Sequence, residues 1–230
     1  MIAVSFALPT ESSDLVGLLR DRKSDETEII RGKIDHKEVA IFHTGVGRKS
    51  CAARVDNFLC AQLPRILISS GFAGAASEDL QVGDLLLAEN FSDPPLLFEA
   101  QRILTSSHVR VGKLFTSLTI VDSIDERNEI AREHNAVAVD METECIAQAC
   151  AARQIRMLSL RTISDTPRQP FPAPPRALFD IENQRTKVAR LSFHLLAHPT
   201  AIWRLIRFGS QIRKARATLT NAMVALIKEL

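Results

Sequence analysis

At 230 residues the chain is long enough for one sizeable hydrophobic core, and we predict a single domain over residues 1–230. Apolar residues make up 46% and charged residues 24% of the chain, a balance that excludes an intrinsically disordered protein. No apolar run approaches the roughly 18 residues that a membrane-spanning helix needs, and the first residues lack the features of a signal peptide. We therefore expect a cytoplasmic protein.

The elements predicted along the chain alternate between short β-branched or apolar runs and amphipathic stretches, an order typical of an α/β layer fold. The runs at 66–68 and 158–160 lack strict polar alternation, as central strands covered by helices on both faces do. Strands are predicted at 2–8, 28–34, 39–42, 65–69, 84–89, 110–120, 136–139 and 157–163, and helices at 12–20, 49–62, 125–134 and 141–154.

Three acidic residues follow predicted strands. Glu11 comes after the first strand, Glu142 after the strand at 136–139, and Asp165 after the strand at 157–163. Ligands of open α/β sheets bind where loops leave the carboxyl ends of strands. Taken singly, each residue has a structural alternative: Glu11 and Asp165 as capping or turn residues, and Glu142 as a favourable charge in a first helical turn.

Glycine-rich turns also follow strands, in HTGVGRKS (43–50) and SSGFAGAA (69–76). Such turns can aim backbone N–H groups at a ligand. The first lacks the third glycine of the dinucleotide fingerprint and the GK[ST] core of a P-loop, so neither turn alone identifies a nucleotide site. After Asp165, the five prolines of residues 167–175 predict an extended loop that could cover a pocket.

The basic charge is concentrated at the C-terminus. The net charge is +2, yet nine Lys and Arg residues stand against Glu229 alone from residue 185 onward. We treat residues 176–230 as a basic C-terminal helical extension. Its apolar face could pack on the sheet, or its interleaved apolar and basic residues, such as Trp203 and Arg204, could contact an anionic membrane surface. Nucleic-acid binding is the weaker alternative, and we expect no such partner.

Cysteine and histidine spacing points to no metal. The cysteines at positions 51, 60, 145 and 150 form no CxxC pair, which favours buried free thiols without a disulfide or a structural metal. His194 and His198 stand four residues apart, but without a nearby acidic partner a packing or surface role is favoured. We expect neither a metal nor an organic cofactor.

Four motifs in order resemble one enzyme family. They are TGVGRKSCAA, ISSGFAGAASEDLQVGDLLLAE, AVDMETECIAQACAARQI and LRTISD, preceded by ALPTE near the N-terminus. Their order and spacing resemble the purine nucleoside phosphorylase and methylthioadenosine nucleosidase superfamily over residues 1–166. The resemblance implies a three-layer α/β/α fold with a mixed central sheet, a homodimer, and a purine nucleoside as the small-molecule ligand.

The resemblance also implies roles for residues. The acid that matches Asp165 donates a proton toward purine N7, the Glu that matches Glu142 binds the ribose hydroxyls, and the Glu that matches Glu11 orients the attacking water. Loss of a purine passes through an oxocarbenium-like transition state, for which such acidic groups are suited. Met141 would lie under the sugar. Ser164 and Arg161 match residues that position the acid, although Arg161 could instead be an ordinary ion-pair residue.

Some positions depart from the family pattern. Members that use phosphate carry an arginine and a serine in the loop that includes Phe72, Ala73 and Gly74 here, and the matching positions are Ser69 and Phe72. Phe72 cannot bind phosphate. Gly47 and Arg48, with Lys49, could bind the anion instead, or they could simply begin a solvated helix. Water is therefore slightly favoured over phosphate as the nucleophile.

Two further departures concern the substrate. The aromatic residue that stacks on adenine falls near Ile120, and the segment at 90–95 is shorter than the pocket-covering segment of nucleosidases. Both predict a more open site, suited to a bulky 5′ substituent. The ending of the chain resembles that of the hopanoid-associated phosphorylases, which remove adenine from adenosylhopane, a lipid-linked nucleoside that would suit peripheral membrane contact. A methylthioadenosine or S-adenosylhomocysteine nucleosidase and a binding protein without turnover are the alternatives.

Overall fold

The computed structural model describes residues 1–24, 28–121, 123–169, 179–180, 185–186 and 200–230, and the side chains of the last range from residue 208. The predictions for most of the proline-rich loop and for His194 and His198 lie outside these described residues. The prediction for Trp203 and Arg204 concerns side chains that also lie outside the description. Nine strands form one sheet: β1 Ile2–Phe6, β2 Arg20–Ser24, β3 Ile30–Ile34, β4 Lys37–His43, β5 Ile66–Ala75, β6 Leu85–Ala88, β7 Val109–Thr116, β8 Ala136–Asp140 and β9 Arg156–Asp165.

Helices connect and cover these strands. They are α1 Pro9–Gly17, α2 Arg48–Ala61, α3 Pro94–Ile103, α4 Ile124–His134, α5 Thr143–Ala151 and α6 Thr200–Glu229. A separate two-stranded pair is formed by β10 Phe179–Asp180 and β11 Arg185–Thr186. One apolar cluster lies between the sheet and α1, α3 and α6, and a second lies between the opposite face and α2 and α5. The predicted three-layer α/β/α fold with a mixed sheet is confirmed.

The sheet is partly open and partly closed. Its order is β2-β3-β4-β1-β5-β8-β7-β6-β9, with an additional pairing of β9 to β5. In the open part β4, β1 and β5 run parallel, while β5, β8, β7, β6 and β9 close into a ring. The long strands β5 and β9 belong to both parts, so their carboxyl ends are the place where residues from both parts meet.

Four elements were absent from the sequence-based prediction. The strands β10 and β11 fall within residues 176–230, so the expectation that this whole extension is helical is wrong for them. The other two are β2 and α3. Strand β2 (RDRKS) is exposed along its whole length, so it carries no hydrophobic alternation that could mark it as a strand. Helix α3 begins at two prolines, Pro94 and Pro95, which suit a first helical turn, and Asp93 caps it by accepting a hydrogen bond from the Leu96 N–H at 3.2 Å.

The short connection at 90–95 does not cover the predicted pocket. Strand β6 runs antiparallel to β9, so the chain leaves β6 near the amino end of β9, where the Asp93 N–H donates to the Met157 carbonyl oxygen at 2.7 Å. Asp165 lies at the other end of β9. The expectation that this connection opens the site is therefore wrong, and it gives no reason for a bulky substituent.

The end of helix α6 belongs to the core. Ala215, Leu219, Met223 and Leu226 are buried, and the last three pack in the cluster that α1 and α3 share. This placement follows the expectation of a terminal helix that packs its apolar face on the sheet. Among the helices in the described part of the chain, none is both long enough and apolar enough to cross a membrane.

Candidate active site

A cavity of about 280 Å³ lies at the carboxyl ends of the central strands. Glu11, Glu142 and Asp165 all line it, although they are far apart in the sequence. Other predicted substrate residues share the cavity wall, namely Met141, Phe72, Ala73, Gly74, Ile120 and Ser164. The structure thus brings these residues together with the three acids around one space.

Glu11 is both a capping residue and a wall of the cavity. Its Oε2 accepts hydrogen bonds from the N–H groups of Ala7 at 2.9 Å and Leu8 at 3.1 Å, and Oε1 accepts one from the Phe72 N–H at 3.4 Å. A Cβ at Gly71 would come within 3.3 Å of Oε2, at a backbone φ of +149°. Burial raises the pKa of Glu11 above its usual value, and the backbone hydrogen bonds oppose that shift.

Glu142 lies between β8 and α5 in the chain, as the N-cap residue of α5. Its Oε1 accepts a hydrogen bond from the Gly47 N–H at 2.8 Å. Burial, together with the nearby charges of Asp140 and Glu11, raises the pKa of Glu142 to about 8. The surroundings of the Glu142 carboxyl group therefore disfavour its ionised form.

The candidate phosphate groups are placed differently from the prediction. Gly47, at a φ of +87°, gives its N–H to Glu142 rather than to an open anion site. Arg48 begins α2 with an exposed side chain, in accordance with the alternative of a solvated helix start. Both positions are thus used in building the Glu142 loop and the start of α2.

Asp165 is held by two neighbours. Its Oδ1 accepts a hydrogen bond from the Ser164 hydroxyl at 2.6 Å, and its Oδ2 forms a buried ion pair with Arg127 of α4. Arg127 also donates to the carbonyl oxygens of Ala75 at 2.8 Å and Val121 at 3.1 Å. A Cβ at Gly74 would lie 2.9 Å from Arg127 Nη1, so a side chain there would push the arginine away from the acid.

Arg127 was missed in the sequence, yet it lines the cavity and is only 4% exposed. Its helix is rich in charge, so one more arginine looks like a surface residue. The only signal was its spacing: Arg127 lies three residues before Ile130, on the same buried face. A charged residue on the apolar face of a helix marks a buried partner, and here that partner is Asp165.

Arg161 pairs with a different acid from the one expected. Its Nη2 lies 3.0 Å from Asp140 Oδ2 and 2.8 Å from the Ser69 hydroxyl, and both ion-pair partners are almost fully buried. The Thr143 hydroxyl and N–H also donate to Asp140. Arg161 therefore ties β9 to β5, β8 and the start of α5. It supports the Glu142 loop and not Asp165, which corrects the expectation drawn from the family resemblance.

A second, much smaller space of about 20 Å³ lies beside the main cavity. Its lining mixes apolar side chains with polar ones, and the polar ones include Glu11, Glu142 and Arg161. The hydroxyls of Ser5 and Ser70 also line it, and neither has a hydrogen-bond partner among the described residues. A polar space of this size suits about one water molecule, and Phe72 borders both spaces.

Comparisons with known proteins identify related sequences. The model of the phosphorylase superfamily matches residues 2–105 and 92–198. The 5′-methylthioadenosine/S-adenosylhomocysteine nucleosidase of Staphylococcus haemolyticus is 26% identical over 200 residues, covering 72% of this chain and 86% of the relative. The enzyme of the same name from Staphylococcus epidermidis is 24% identical over 196 residues, with coverages of 72% and 86%.

Solved structures share the fold. The nucleosidase of Neisseria meningitidis in complex with methylthio-immucillin-A superposes with a TM-score of 0.75 at 18% identity, covering 100% of this chain and 99% of the other. The futalosine hydrolase of Helicobacter pylori superposes with a TM-score of 0.72 at 18% identity, covering 100% and 97%. At these identities the likeness concerns the fold.

Proposed function

Because the chain belongs to the phosphorylase superfamily, we propose that it cleaves the N-glycosidic bond of a purine nucleoside, with adenine as the base and a substituent at the ribose 5′ position. The observation that carries the proposal is the convergence of Glu11, Glu142 and Asp165 on one cavity at the strand ends. Each could have been a purely structural residue. Three carboxyl groups around one cavity of about 280 Å³, in a chain of this family, are better explained by glycosidic chemistry.

Each acid has a distinct task in the proposed reaction. As the bond between C1′ and N9 breaks, positive charge develops on the ribose and negative charge on the purine. Asp165, beside Ser164 and Arg127, faces the base, and in its protonated form it delivers the carboxyl proton toward N7 and becomes the carboxylate that Arg127 pairs with. Glu142 binds the ribose hydroxyls, and Met141 lies under the sugar. Glu11 orients the attacking water and accepts its proton as the C1′–O bond forms.

Water is the proposed nucleophile. The small polar space beside Glu11, with free hydroxyls of Ser5 and Ser70, has room for about one water molecule and not for a phosphate ion. Of the two predicted phosphate groups, the Gly47 N–H is engaged by Glu142, and Arg48 lines neither space. The two arginines that do border these spaces are each paired with an aspartate, Arg161 with Asp140 and Arg127 with Asp165. Phe72 brings only an apolar side chain to this point.

The 5′ substituent has two candidates. Methylthioadenosine and S-adenosylhomocysteine are favoured by the names of the curated relatives, and the placement of residues 90–95 away from the cavity removes one argument against them. A lipid-linked adenosine such as adenosylhopane is favoured by the resemblance of the C-terminal sequence to the hopanoid-associated branch. We also expect a homodimer with either substituent, and peripheral membrane contact through the basic C-terminal segment would accompany the second candidate.

The test is release of free adenine from adenosine, methylthioadenosine, S-adenosylhomocysteine and a long-chain 5′-alkyl adenosine, each with and without phosphate. We expect adenine at a rate independent of phosphate, together with a free reducing sugar. A strict phosphate requirement with a sugar 1-phosphate product would replace hydrolysis by phosphorolysis. Measurable nucleoside binding without adenine release from any of these compounds would instead favour the binding protein and overturn the enzyme proposal.

A further inference from the structure

Helix α6 contacts the helix that carries Glu11. The Arg216 guanidinium donates two hydrogen bonds to α1, from Nε to Asp14 Oδ2 at 2.9 Å and from Nη1 to the carbonyl oxygen of Thr10 at 3.2 Å. These two acceptors lie on either side of Glu11 in the sequence of α1. One arginine of α6 therefore holds the turn of α1 that presents Glu11 to the cavity.

The same helix also contacts the chain that follows Asp165. The Gln169 N–H donates to the Thr166 carbonyl oxygen at 3.0 Å and the Thr166 N–H to the Gln169 carbonyl oxygen at 3.1 Å, which closes a tight turn directly after the acid. Gln211 of α6 donates from Nε2 to Gln169 Oε1 at 2.6 Å. Because this second contact joins exposed side chains, the stronger case is that of Arg216.

Helix α1 depends on its neighbours for its position. It has nine residues, fewer than the about 12–15 below which an isolated helix is marginal in water. Of its buried residues, Leu15 alone is apolar. The Ser12 hydroxyl attaches one side of α1 to β4 through His43 Nε2 at 2.8 Å, and Arg216 attaches the helix to α6. The Glu11 carboxyl group, bonded to N–H groups at the start of the same helix, moves with it.

The Arg216 contact is suited to set an orientation rather than to add stability. The side chains of Arg216 and Asp14 are 24% and 37% exposed, and ion pairs at such positions contribute little to stability. Apolar residues such as Leu219 and Met223 hold α6 on the core, but apolar contacts are non-directional. The planar guanidinium donates in fixed directions, so its two bonds fix how α1 is rotated about its own axis.

We propose that Arg216 is a positioning residue for Glu11, and that α6 therefore takes part in aligning the attacking water. The effect on rate rests on the proposed function. A misplacement of about 1 Å in an active site can cost about 100-fold in rate. Loss of Arg216 should therefore lower kcat for adenine release about 10–100-fold. KM should change little, because Glu11 contacts the water rather than the nucleoside.

The kinetic test compares Arg216→Gln with Arg213→Gln, which changes an exposed cation of the same helix and should leave kcat unchanged. Arg216→Lys keeps the charge without the planar fork and should recover part of kcat. In a Glu11→Gln background, Arg216→Gln should cause no further fall in kcat, because the group that it positions is already lost. Losses that multiply in the double variant, or a rise in KM that matches the fall in kcat, would contradict the proposal.

A second measurement needs no activity, so it separates failure of this proposal from failure of the proposed function. The N–H groups of Ala7 and Leu8 donate to the Glu11 carboxyl group, and their hydrogen exchange, followed by NMR, reports on its position. In Arg216→Gln we expect loss of protection at these two amides and unchanged protection along β1. Unchanged exchange at both amides, or an equal loss throughout β1, would overturn the proposal whether or not the protein releases adenine.

Stability provides the last control. The midpoint of urea unfolding should be nearly the same for Arg216→Gln, Arg213→Gln and the wild type, because the contact is partly exposed. A large fall for Arg216→Gln alone would assign the arginine a structural role and refute the positioning role. If Arg216→Gln does not fold, Asp14→Asn weakens the same contact from the side of α1 and undergoes the same measurements.

Discussion

Two arginine–aspartate pairs are buried in the described part of the chain, and they differ in what surrounds the aspartate. In the pair of Arg161 and Asp140, the carboxylate accepts hydrogen bonds from the hydroxyls of Thr116 and Thr143, and although Asp140 borders the cavity its side chain is only 2% exposed. In the pair of Arg127 and Asp165, both residues line the cavity and the Asp165 side chain is 12% exposed. The same two side-chain types thus hold strands and a helix together in one place, and present a carboxyl group to a ligand in the other.

The largest expected effect comes from changing the acid of the pair at the cavity. Asp165→Asn keeps the shape of the side chain and removes its ability to transfer a proton. Loss of a general acid typically costs about 10²–10⁴-fold in rate, so kcat/KM for adenine release should fall by that factor. The circular dichroism spectrum and nucleoside binding serve as the control and should be retained. Turnover close to that of the wild type would refute the proposed role of Asp165.

The enclosed pair should show its effect in stability. Arg161→Met leaves Asp140 buried without its countercharge, and breaking a buried pair in this way costs about 3–5 kcal/mol. We expect the free energy of unfolding in urea to fall by that amount. The matched control is Arg156→Gln, since Arg156 pairs with Asp93 at a half-exposed position and such pairs are worth about 1 kcal/mol or less. Equal losses in the two variants would show that enclosure does not distinguish these pairs.

A smaller effect is expected from the cation at the cavity. Arg127→Gln retains a hydrogen-bond donor but removes the charge and length that position Asp165. We expect kcat for adenine release to fall about 10–100-fold, the range that a small misplacement of an acid can cause, with a smaller change in KM. Arg127→Lys should recover part of kcat because it restores the charge. A fall in kcat together with a comparable rise in KM, neither of which lysine rescues, would indicate a general loss of structure instead.

The contrast between the pairs also explains what could be predicted from sequence. The acids at positions 11, 142 and 165 were found because hydrophobic runs mark the strands, and residues after parallel strands gather at one edge of the sheet. Arg127 was not found because its helix is covered in charge, and only contacts with β5 and the chain at Val121 reveal its burial.

The expectation that Arg161 positions Asp165 was drawn from the family resemblance, and the geometry of β9 shows why it does not hold here. Arg161 and Asp165 are four residues apart in β9, so in a regular strand they would share a face. The pairing of β5 with β9 instead contains an irregularity, in which Ala73 pairs with Ile163 and the next residue, Gly74, pairs with Asp165. The extra residue, Ser164, shifts the alternation, so Arg161 and Asp165 approach different partners. Spacing alone cannot reveal such a bulge.

The smallest expected effect is a pH dependence of stability that comes from Glu142, which lies between the enclosed pair and the cavity. The pKa of Glu142 is raised mainly by burial and next by the charge of Asp140. Between the ordinary glutamate pKa of 4.5 and the raised value of about 8, the folded protein holds a proton that the unfolded chain has released. Stability from this group is therefore complete below pH 4.5 and is lost as the pH rises through about 8, with a slope of at most about 1.4 kcal/mol per pH unit.

This pH dependence can be measured by urea unfolding of the wild type and Glu142→Gln at pH 5, 6, 7 and 8. The glutamine cannot ionise, so the stability of the wild type relative to the variant should decline steadily from pH 5 to pH 8, with a slope of at most about 1.4 kcal/mol per pH unit. Other titrating groups, including Glu11, contribute to both proteins and largely cancel in the difference. Parallel curves for the two proteins would mean that Glu142 is already ionised in the folded state. In that case neither burial nor the charge of Asp140 would measurably raise the pKa of Glu142, and the Arg161–Asp140 pair would have no electrostatic effect on the cavity.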